Sequence, residues 1–460
     1  MSATDSQNPD SGTQDRQTAA GAAASHPVRR RAVAAWALWD WGASAYSTIV
    51  TSFVFAPYLT GVVAKNRPPD SLSGETWLGI ALFIAGFFVA ALAPVTGQRA
   101  DAGGHRKRSL AIWSALVIAS TVGLFFVSDD YRYLWLGLAL LAAGSAFMEF
   151  AGVAYNAMLQ QISNPTNIGK ISGLGWGSGY LGGIVVMLLA FILFIQPEVG
   201  LFGVTAEGGL KYRALALVVA VWFAFWAIPI FVAIPEIPPT PDIPRVGFFA
   251  SYRVLAREVV ALYRSDRHTV WFLLASALYR DGLVGIFSFG AVLAVAVYGL
   301  SAGDVVIFGV AANVVAAIGA FAAGIVEDRI GPKPVILTSL AALAAILVVL
   351  LFSHGETLFW IFGLLLCLWV GPAQSSSRTY LARLAPRGRE GQMFGLYATT
   401  GRAVSFLAPG LFALASGVFD SARMGTLGIL VVLLSGLVAL SRVKPPPRYQ
   451  PASIETASVA

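Results

Sequence analysis

Twelve hydrophobic runs, each about twenty residues long, recur between Trp36 and Leu440. A run of this length can cross a bilayer as one α-helix, which satisfies its own backbone hydrogen bonds in the absence of water. Only 12% of the residues are charged, whereas soluble domains have about a quarter, so a soluble enzyme is excluded. The sequence therefore predicts an all-α, polytopic membrane protein.

The predicted membrane spans fall into two groups of six. We number them 1 to 12 in chain order: 34–62, 76–96, 109–127, 133–160, 170–195, 212–234, 270–298, 304–326, 334–353, 357–382, 391–417 and 424–441. The predicted bundles are 32–234 and 270–442, with a disordered cytoplasmic tail at 1–31, a linker at 235–269 and a second cytoplasmic tail at 443–460. The linker is expected to contain an amphipathic helix that lies along the lipid headgroups. Its apolar face is predicted to comprise Phe248, Phe249, Leu255, Val259 and Leu262.

Basic residues are distributed unequally between the two ends of these spans. With both termini on one side, 22 of the 31 Lys and Arg residues lie in segments on that side and 6 on the other. This asymmetry predicts a multi-pass protein of the cell (inner) membrane with both termini cytoplasmic. It also explains the net charge of +7, because the basic residues are placed at a lipid surface. The expected partner is therefore the lipid bilayer and not nucleic acid.

An internal repeat relates the two groups of spans. Three pairs of segments match in the same order, which indicates duplication. Paired six-helix halves are a transporter architecture, with the substrate site between the halves near the bilayer midplane. The pairs are ALWDWG (37–42) and ALYRDG (277–282), GQRADAGGHRK (97–107) and GIVEDRIGPKP (324–334), and GKISGLGWGSGYLGG (169–183) and GQMFGLYATTGRAV (391–404), at offsets of 240, 227 and 222.

Ionisable residues within the spans are the candidates for function. Each charge at a helix centre costs about 2.5–3.5 kcal/mol on insertion scales, so each one needs a partner or water. Asp40 and Glu149 are accompanied by further polar residues on the same helix face, and span 10 adds a glutamine. The candidates for the substrate and proton-coupling site are Asp40, Ser44, Thr48, Glu149, Asn156, Arg280, Asp281, Gln374 and Arg402.

Chemistry suggests different roles for these charges. A guanidinium pairs bidentately with a carboxylate, so Arg280 and Arg402 are expected to bind an anionic group of a solute. Because desolvation disfavours the charged form of a carboxyl group, Asp40 or Glu149 is expected to take up and release a proton. The alternative is that these residues form structural ion pairs between spans, such as Arg280 with Asp281, or Arg402 with a carboxylate.

The repeated G-x-x-x-D-(R)-x-G-x-(R/K) loop resembles the signature of the major facilitator superfamily. The resemblance implies two pseudo-symmetric six-helix bundles in which spans 1, 4, 7 and 10 line a central cavity. It also implies that each loop aspartate is held against the start of span 11 or span 5 and by basic partners, which locks one access state. Ala102 departs from the pattern, and the alternative is a tight loop with surface charges. The implied gating residues are Gly97, Asp101, Gly104, Arg106, Lys107, Asp328, Arg329 and Gly331.

A narrower resemblance covers nearly all of the predicted spans. WALWDWGASAYSTIV (36–50), YNAMLQQIS (155–163), SGLGWGSGYLGG (172–183) and FGLYATTGRAVSFLAPG (394–410) together resemble the bacterial relatives of the fungal autophagy-related vacuolar effluxers. The resemblance implies export of small solutes, which are amino acids in the fungal branch.

The sequence contains neither the H-E-x-x-H pattern of metalloproteases nor the P-loop of ATP-driven pumps. No catalysis, metal or cofactor is therefore expected. We therefore expect a monomeric, proton-coupled secondary transporter that exports a small carboxylate-bearing solute by alternating access. The alternatives are an exporter of hydrophobic drugs or lipids, and a receptor or scaffold with the same fold.

Overall fold

The computed structural model describes residues 30–68, 71–237 and 247–445. Twelve helices in this part of the chain are long and apolar enough to cross a membrane, as predicted, and we keep the numbers 1 to 12 for them. Most of each predicted tail and the proline-rich stretch of the linker lie outside the described residues. The spans are Arg30–Val63, Gly74–Gly103, Arg106–Phe126, Tyr131–Ile162, Ile168–Ile195, Glu207–Ala233, Arg267–Gly290, Ile307–Ile330, Pro332–Phe352, Glu356–Leu384, Glu390–Val418 and Ala422–Ser441.

Several helices extend past the predicted spans because their ends are capped. The helix of span 2 begins at Ser73, whose side chain accepts a hydrogen bond from the Thr76 N–H, and ends at Gly104. Gly104 has φ of 67°, a left-handed conformation that costs glycine little and terminates helices. The helix of span 8 similarly runs to Ile330. The two gating aspartates therefore lie on the last turns of helices, rather than in loops as predicted.

Spans 1 and 11 both depart from regular α-helix. Span 1 becomes a π-helix over Tyr46–Phe53, and span 11 consists of two helices, Glu390–Val404 and Leu407–Val418. The Asp281 carboxylate accepts a hydrogen bond of 2.7 Å from the Ala408 N–H at the start of the second helix. A carboxylate at this position satisfies a free donor and complements the helix dipole. The break in span 11 is thereby stabilised by span 7.

The two halves of the chain pack by the same plan. Span 1 packs on spans 5 and 6, span 2 on span 4, and span 3 on spans 4 and 6. The second half repeats these pairs, with span 7 on spans 11 and 12, span 8 on span 10, and span 9 on spans 10 and 12. Between the halves, span 5 packs on span 8 and span 2 on span 11, which are again equivalent pairs. The fold is therefore two pseudo-symmetric six-helix bundles.

The bundles meet on one side of the molecule, which we call the terminal side because span 1 begins there and span 12 ends there. Gly97 of span 2 and Gly395 of span 11 approach backbone of the opposite bundle so closely that a Cβ at either position would overlap it. At the other side, the outer segments Leu59–Val63, Phe191–Ile195 and Leu407–Val418 pack within their own bundles. The cleft between the bundles is thus closed at the terminal side and opens towards the other.

A proline contributes to this closure. Pro94 lies inside the continuous helix of span 2 and has no N–H, so it leaves the Ala90 carbonyl without its usual intrahelical donor. The hydroxyl of Thr399 in span 11 donates to that carbonyl at 2.8 Å. The missing backbone bond is replaced by one that joins the two bundles.

The predicted helix of the linker is Phe248–Ser265, and we call it the linker helix. The residues predicted for its apolar face differ in burial. Leu255, Val259 and Leu262 are half-buried, but Phe248 and Phe249 are exposed. The two phenylalanines lie at the first turn, beyond the protein surface that covers the later residues.

Candidate functional site

The first gating aspartate is the centre of a buried charge cluster on the terminal side. The Asp101 carboxylate accepts a hydrogen bond of 2.6 Å from Nε of Arg106. It accepts a second one of 2.9 Å from the backbone N–H of Gln392, at the start of span 11. Arg106 also forms an ion pair with Glu390 of span 11. Because all of these groups are buried, the cluster joins the bundles through charge-assisted hydrogen bonds that water does not weaken.

The second gating aspartate makes the equivalent contact with span 5. Asp328 accepts hydrogen bonds from the N–H groups of Gly169, at 2.8 Å, and Lys170, at 3.1 Å. These donors belong to the first turn of a helix, where N–H groups are free and the dipole is positive. Arg383 of span 10 lies 4.0 Å from the same carboxylate. Both aspartates therefore have the positions that the resemblance implied.

Three of the other gating residues differ from expectation. The ammonium of Lys107 donates to the Phe231 carbonyl at 3.3 Å, so it is not a partner of the aspartate. Arg329 is exposed and has no hydrogen bond or ion pair within the described part of the chain. Gly331 caps the helix of span 8 with φ of 89° and serves the backbone rather than the charge cluster. The basic partner of the second aspartate is Arg383, which the sequence did not single out.

Asp40 is paired with an arginine of the opposite bundle. The guanidinium of Arg378 in span 10 lies 3.7 Å from the Asp40 carboxylate. The same group donates to Asn156 of span 4 at 3.2 Å and to the hydroxyl and carbonyl of Ser172 in span 5 at 3.1 and 2.9 Å. One side chain of the second bundle thus contacts three spans of the first.

Aromatic rings surround this guanidinium. It lies 4.9 Å from the ring centre of Trp36 and 5.5 Å from that of Trp176. Trp36 stacks on Tyr155 at 4.4 Å, and the Tyr155 hydroxyl donates to Asp40 at 3.3 Å. Arginine stacks favourably on aromatic faces, especially where water is excluded. We call Arg378, Asp40 and these three rings the arginine latch.

Sequence reasoning missed Arg378 because it was counted among the loop charges. Two signals pointed to it. It lies within the predicted span 10, and it follows the polar patch Gln374–Ser377 directly. The helix continues to Leu384, so the Arg378 side chain is attached to the backbone within the span. Gln374 itself is half-buried on the turn before it.

The middle of the cleft holds a second ion pair and an arginine without a carboxylate. Arg402 of span 11 pairs with Glu149 of span 4, again across the bundles. Arg280 of span 7 lies over the Tyr397 ring at 3.8 Å and donates to the Tyr397 carbonyl at 3.2 Å. Among the described residues it has no ion-pair partner, so the expected alternative of a pair with Asp281 is wrong.

The two polar residues that follow Asp40 lie on the same side of span 1. Ser44 and Thr48 are half-buried beside Gly182 and Gly183 of span 5, and the Ser44 hydroxyl donates to the Trp41 carbonyl at 2.7 Å. They are brought near Asp40, but they make no contact with the arginine latch.

Asp40 and Arg280 occupy positions that the internal repeat makes equivalent. Asp40 lies beside Gly179 of span 5, and Arg280 lies beside Gly401 of span 11. These neighbours are themselves equivalent in the repeat, at the offset of 222 residues. The two walls of the cleft therefore present opposite charges from matching places.

Twin six-span bundles, aspartates bound to the starts of spans 5 and 11 and a charged cleft define a secondary transporter of the major facilitator superfamily. The Escherichia coli fucose:proton symporter FucP has the same fold, with a TM-score of 0.67 over 92% of this chain and 98% of that chain, at 15% identity. A family model described as "Vacuole effluxer Atg22 like" matches residues 163–446, and the chain belongs to this family. It is a multi-pass membrane transporter and not an enzyme.

Relatives occur in bacteria and fungi. The MFS-type transporter YxiO of Bacillus subtilis (strain 168) is 27% identical over 415 residues, which cover 89% of this chain and 94% of YxiO. Autophagy-related protein 22 of Cryptococcus neoformans is 26% identical over 297 residues, which cover 60% of this chain and 52% of the fungal protein. The chain thus spans nearly all of the bacterial relative and about half of the fungal one.

Proposed function

We propose that this transporter exports a small solute with a carboxylate group, with amino acids as the first candidates. The observation that carries the proposal is the state of Arg280. It is held in place by Tyr397, and no carboxylate of the described chain neutralises it. A guanidinium without a partner in a bilayer is costly, and a solute carboxylate would supply the missing charge.

The direction and the driving ion are part of the same proposal. The excess of basic residues on the terminal side supports a cytoplasmic location for both termini in the cell membrane. The structure then corresponds to a state closed to the cytoplasm. The solute would bind after the cytoplasmic side opens and would be released in the state seen here, which amounts to export. This direction agrees with the description of the family as effluxers.

Two ion pairs support a role for protons. Asp40 with Arg378 and Glu149 with Arg402 both join the bundles, so both must separate when the cytoplasmic side opens. A proton that binds either carboxylate from outside removes its charge and frees the arginine. Its release to the cytoplasm would restore the pair and close that side again. Protons would thereby enter as the solute leaves.

Transport by purified protein in vesicles tests this proposal. Vesicles of defined orientation are loaded with radiolabelled amino acids, and the medium facing the non-terminal side is made acidic. We expect the gradient to accelerate export of amino acids, whereas the corresponding amines without a carboxylate should leave no faster than from protein-free vesicles. Equal export of amines, or export of hydrophobic amphiphiles alone, would contradict the proposal.

A further inference from the structure

The linker helix exposes a basic face that the gate does not use. Arg253, Arg257 and Arg264 lie on its outer side at helical spacing, and all three are exposed. None of them has a hydrogen bond or ion pair within the described part of the chain. Exposed apolar side chains lie on the same face, with Phe249 83% exposed and Val260 51% exposed. The face therefore combines positive charge with apolar surface.

A shallow groove runs along this face. Small residues leave room beside two guanidinium groups, and its lining consists of Ala256, Arg257, Val260, Ala261, Arg264 and Ser265. Guanidinium groups bind phosphate through parallel hydrogen bonds and keep their charge at any physiological pH. The chemistry of the groove suits a phosphate group attached to an apolar body.

The opposite face of the linker helix is fixed to both bundles. Tyr252 donates to the Ala91 carbonyl of span 2 at 3.1 Å. Glu258 forms an ion pair of 2.9 Å with Arg389 and accepts a hydrogen bond of 2.6 Å from the side-chain amide of Gln392. The backbone N–H of Gln392 is the group that the first gating aspartate holds. The helix thus crosses the seam between spans 2 and 11 where the bundles meet.

We propose that the outer face of the linker helix binds anionic phospholipid headgroups and that this binding stabilises the closed terminal side. Alternating arginines and apolar side chains are typical of helices that lie in a lipid surface. Because span 7 begins one residue after Asp266, which ends the helix, the helix is held at the level of the bilayer. Separation of spans 2 and 11 would break its contacts with one of the two bundles.

Spin-label distances in lipid nanodiscs test this proposal without any solute. Labels are placed in terminal-side loops of the two bundles by Thr166→Cys and Arg387→Cys, in a background with Cys367→Ser. Full-length protein is compared in phosphatidylcholine and in phosphatidylcholine with phosphatidylglycerol. We expect phosphatidylglycerol to raise the population at the short, closed distance by about twofold or more, since each arginine at an anionic surface adds favourable energy.

Matched variants assign the effect to this face. R253Q/R257Q/R264Q should lose the response to phosphatidylglycerol, whereas R30Q/R31Q/R108Q removes three exposed charges of the same side and should keep it. If the first variant does not fold, R257Q/R264Q is compared with R257K/R264K, and only the former should lose the response.

Four results would overturn the proposal. One is a wild-type protein that does not respond to phosphatidylglycerol. The second is an equal response in the linker variant and the control. The third is the same shift with soluble glycerol phosphate in neutral nanodiscs, because the site would then take a free phosphate and not a lipid surface. The fourth concerns residues 1–29, which carry Asp5, Asp10 and Asp15. If phosphatidylglycerol acts only after residues 1–29 are deleted, the face would be assigned to that segment instead of to lipid.

Discussion

Arg378 of span 10 lies 3.7 Å from Asp40 of span 1 and is enclosed by aromatic rings of the opposite bundle. This relationship explains a carboxylate in the first hydrophobic run. Asp40 is only 25% exposed at its side chain, and its charge is balanced by an arginine from the other half of the chain. We expect Asp40 and Arg378 to stabilise the closed state of the terminal side and to part when that side opens.

Replacement of the arginine should open the latch. Arg378→Gln removes the charge and leaves Asp40 unpaired, which costs about 3–5 kcal/mol for a buried pair. We expect the terminal-side loops to spend most of the time apart, as measured by the distance between labels at Thr166→Cys and Arg387→Cys. Arg329→Gln is the matched control, because Arg329 is exposed and unpaired in the described chain. A closed distance in Arg378→Gln equal to that in the control would contradict the latch.

Neutralisation of the carboxylate should separate coupling from movement. Asp40→Asn keeps the shape and the hydrogen bond from Tyr155 but cannot exchange a proton. We expect solute exchange across vesicles to continue, while uphill transport driven by a proton gradient is lost. The measurement compares both modes in the same preparation. Undiminished uphill transport would show that Asp40 is not the proton carrier.

Glu149 makes the second pair and requires its own test. Glu149→Gln leaves Arg402 without a carboxylate in the middle of the cleft. If Glu149 carries the proton, gradient-driven transport is lost and exchange remains, as for Asp40→Asn. If the pair with Arg402 is structural, exchange falls as well and the thermal stability decreases by several degrees, as expected for an uncompensated charge. Normal uphill transport would exclude both roles.

The glycine at the seam gives a steric test of closure. A Cβ at Gly97 would overlap the Gly391 carbonyl, so Gly97→Ala should disfavour the closed state. Overpacking costs about 1–3 kcal/mol, which shifts the equilibrium between states roughly 5- to 150-fold. Gly79→Ala is the control on the same helix, since nothing lies within 4 Å of its added Cβ. Accessibility of a cysteine on the terminal side should rise in the first variant only, and equal accessibility would contradict the packing.

The number of spans, the correspondence between the two halves and both gating aspartates could be predicted from the sequence. Hydrophobic length fixes a helix in lipid, and the repeat at 97–107 and 324–334 carries the gate twice. The motif also included Arg106, which is the partner of Asp101, but it did not reveal the partner of Asp328. Arg329 follows Asp328 directly, yet Arg383 of span 10 lies against that carboxylate because of how the helices are turned. Sequence distance does not report which end of a span turns towards the other bundle.

Adjacent charges were misjudged for the same reason. Arg280 and Asp281 follow each other in the chain, which made an ion pair plausible. On a helix, successive side chains point about 100° apart and do not face each other. Asp281 therefore reaches the broken helix of span 11, and Arg280 remains free to meet a solute. That separation required the break in span 11, for which the sequence offered no clear signal.

Binding of a carboxylate solute at Arg280 is the most direct test of the proposed function. Purified wild-type protein and the Arg280→Ala and Arg280→Lys variants are screened by thermal shift and calorimetry with amino acids, organic acids and matched amides. A charge-assisted bond contributes about 1.5–3 kcal/mol, so Arg280→Ala should weaken binding of the preferred acid roughly 10- to 150-fold. Arg280→Lys should retain part of the affinity, and the amides should bind none of the three proteins. Unchanged affinity of Arg280→Ala for an acid that binds the wild type would contradict the proposal.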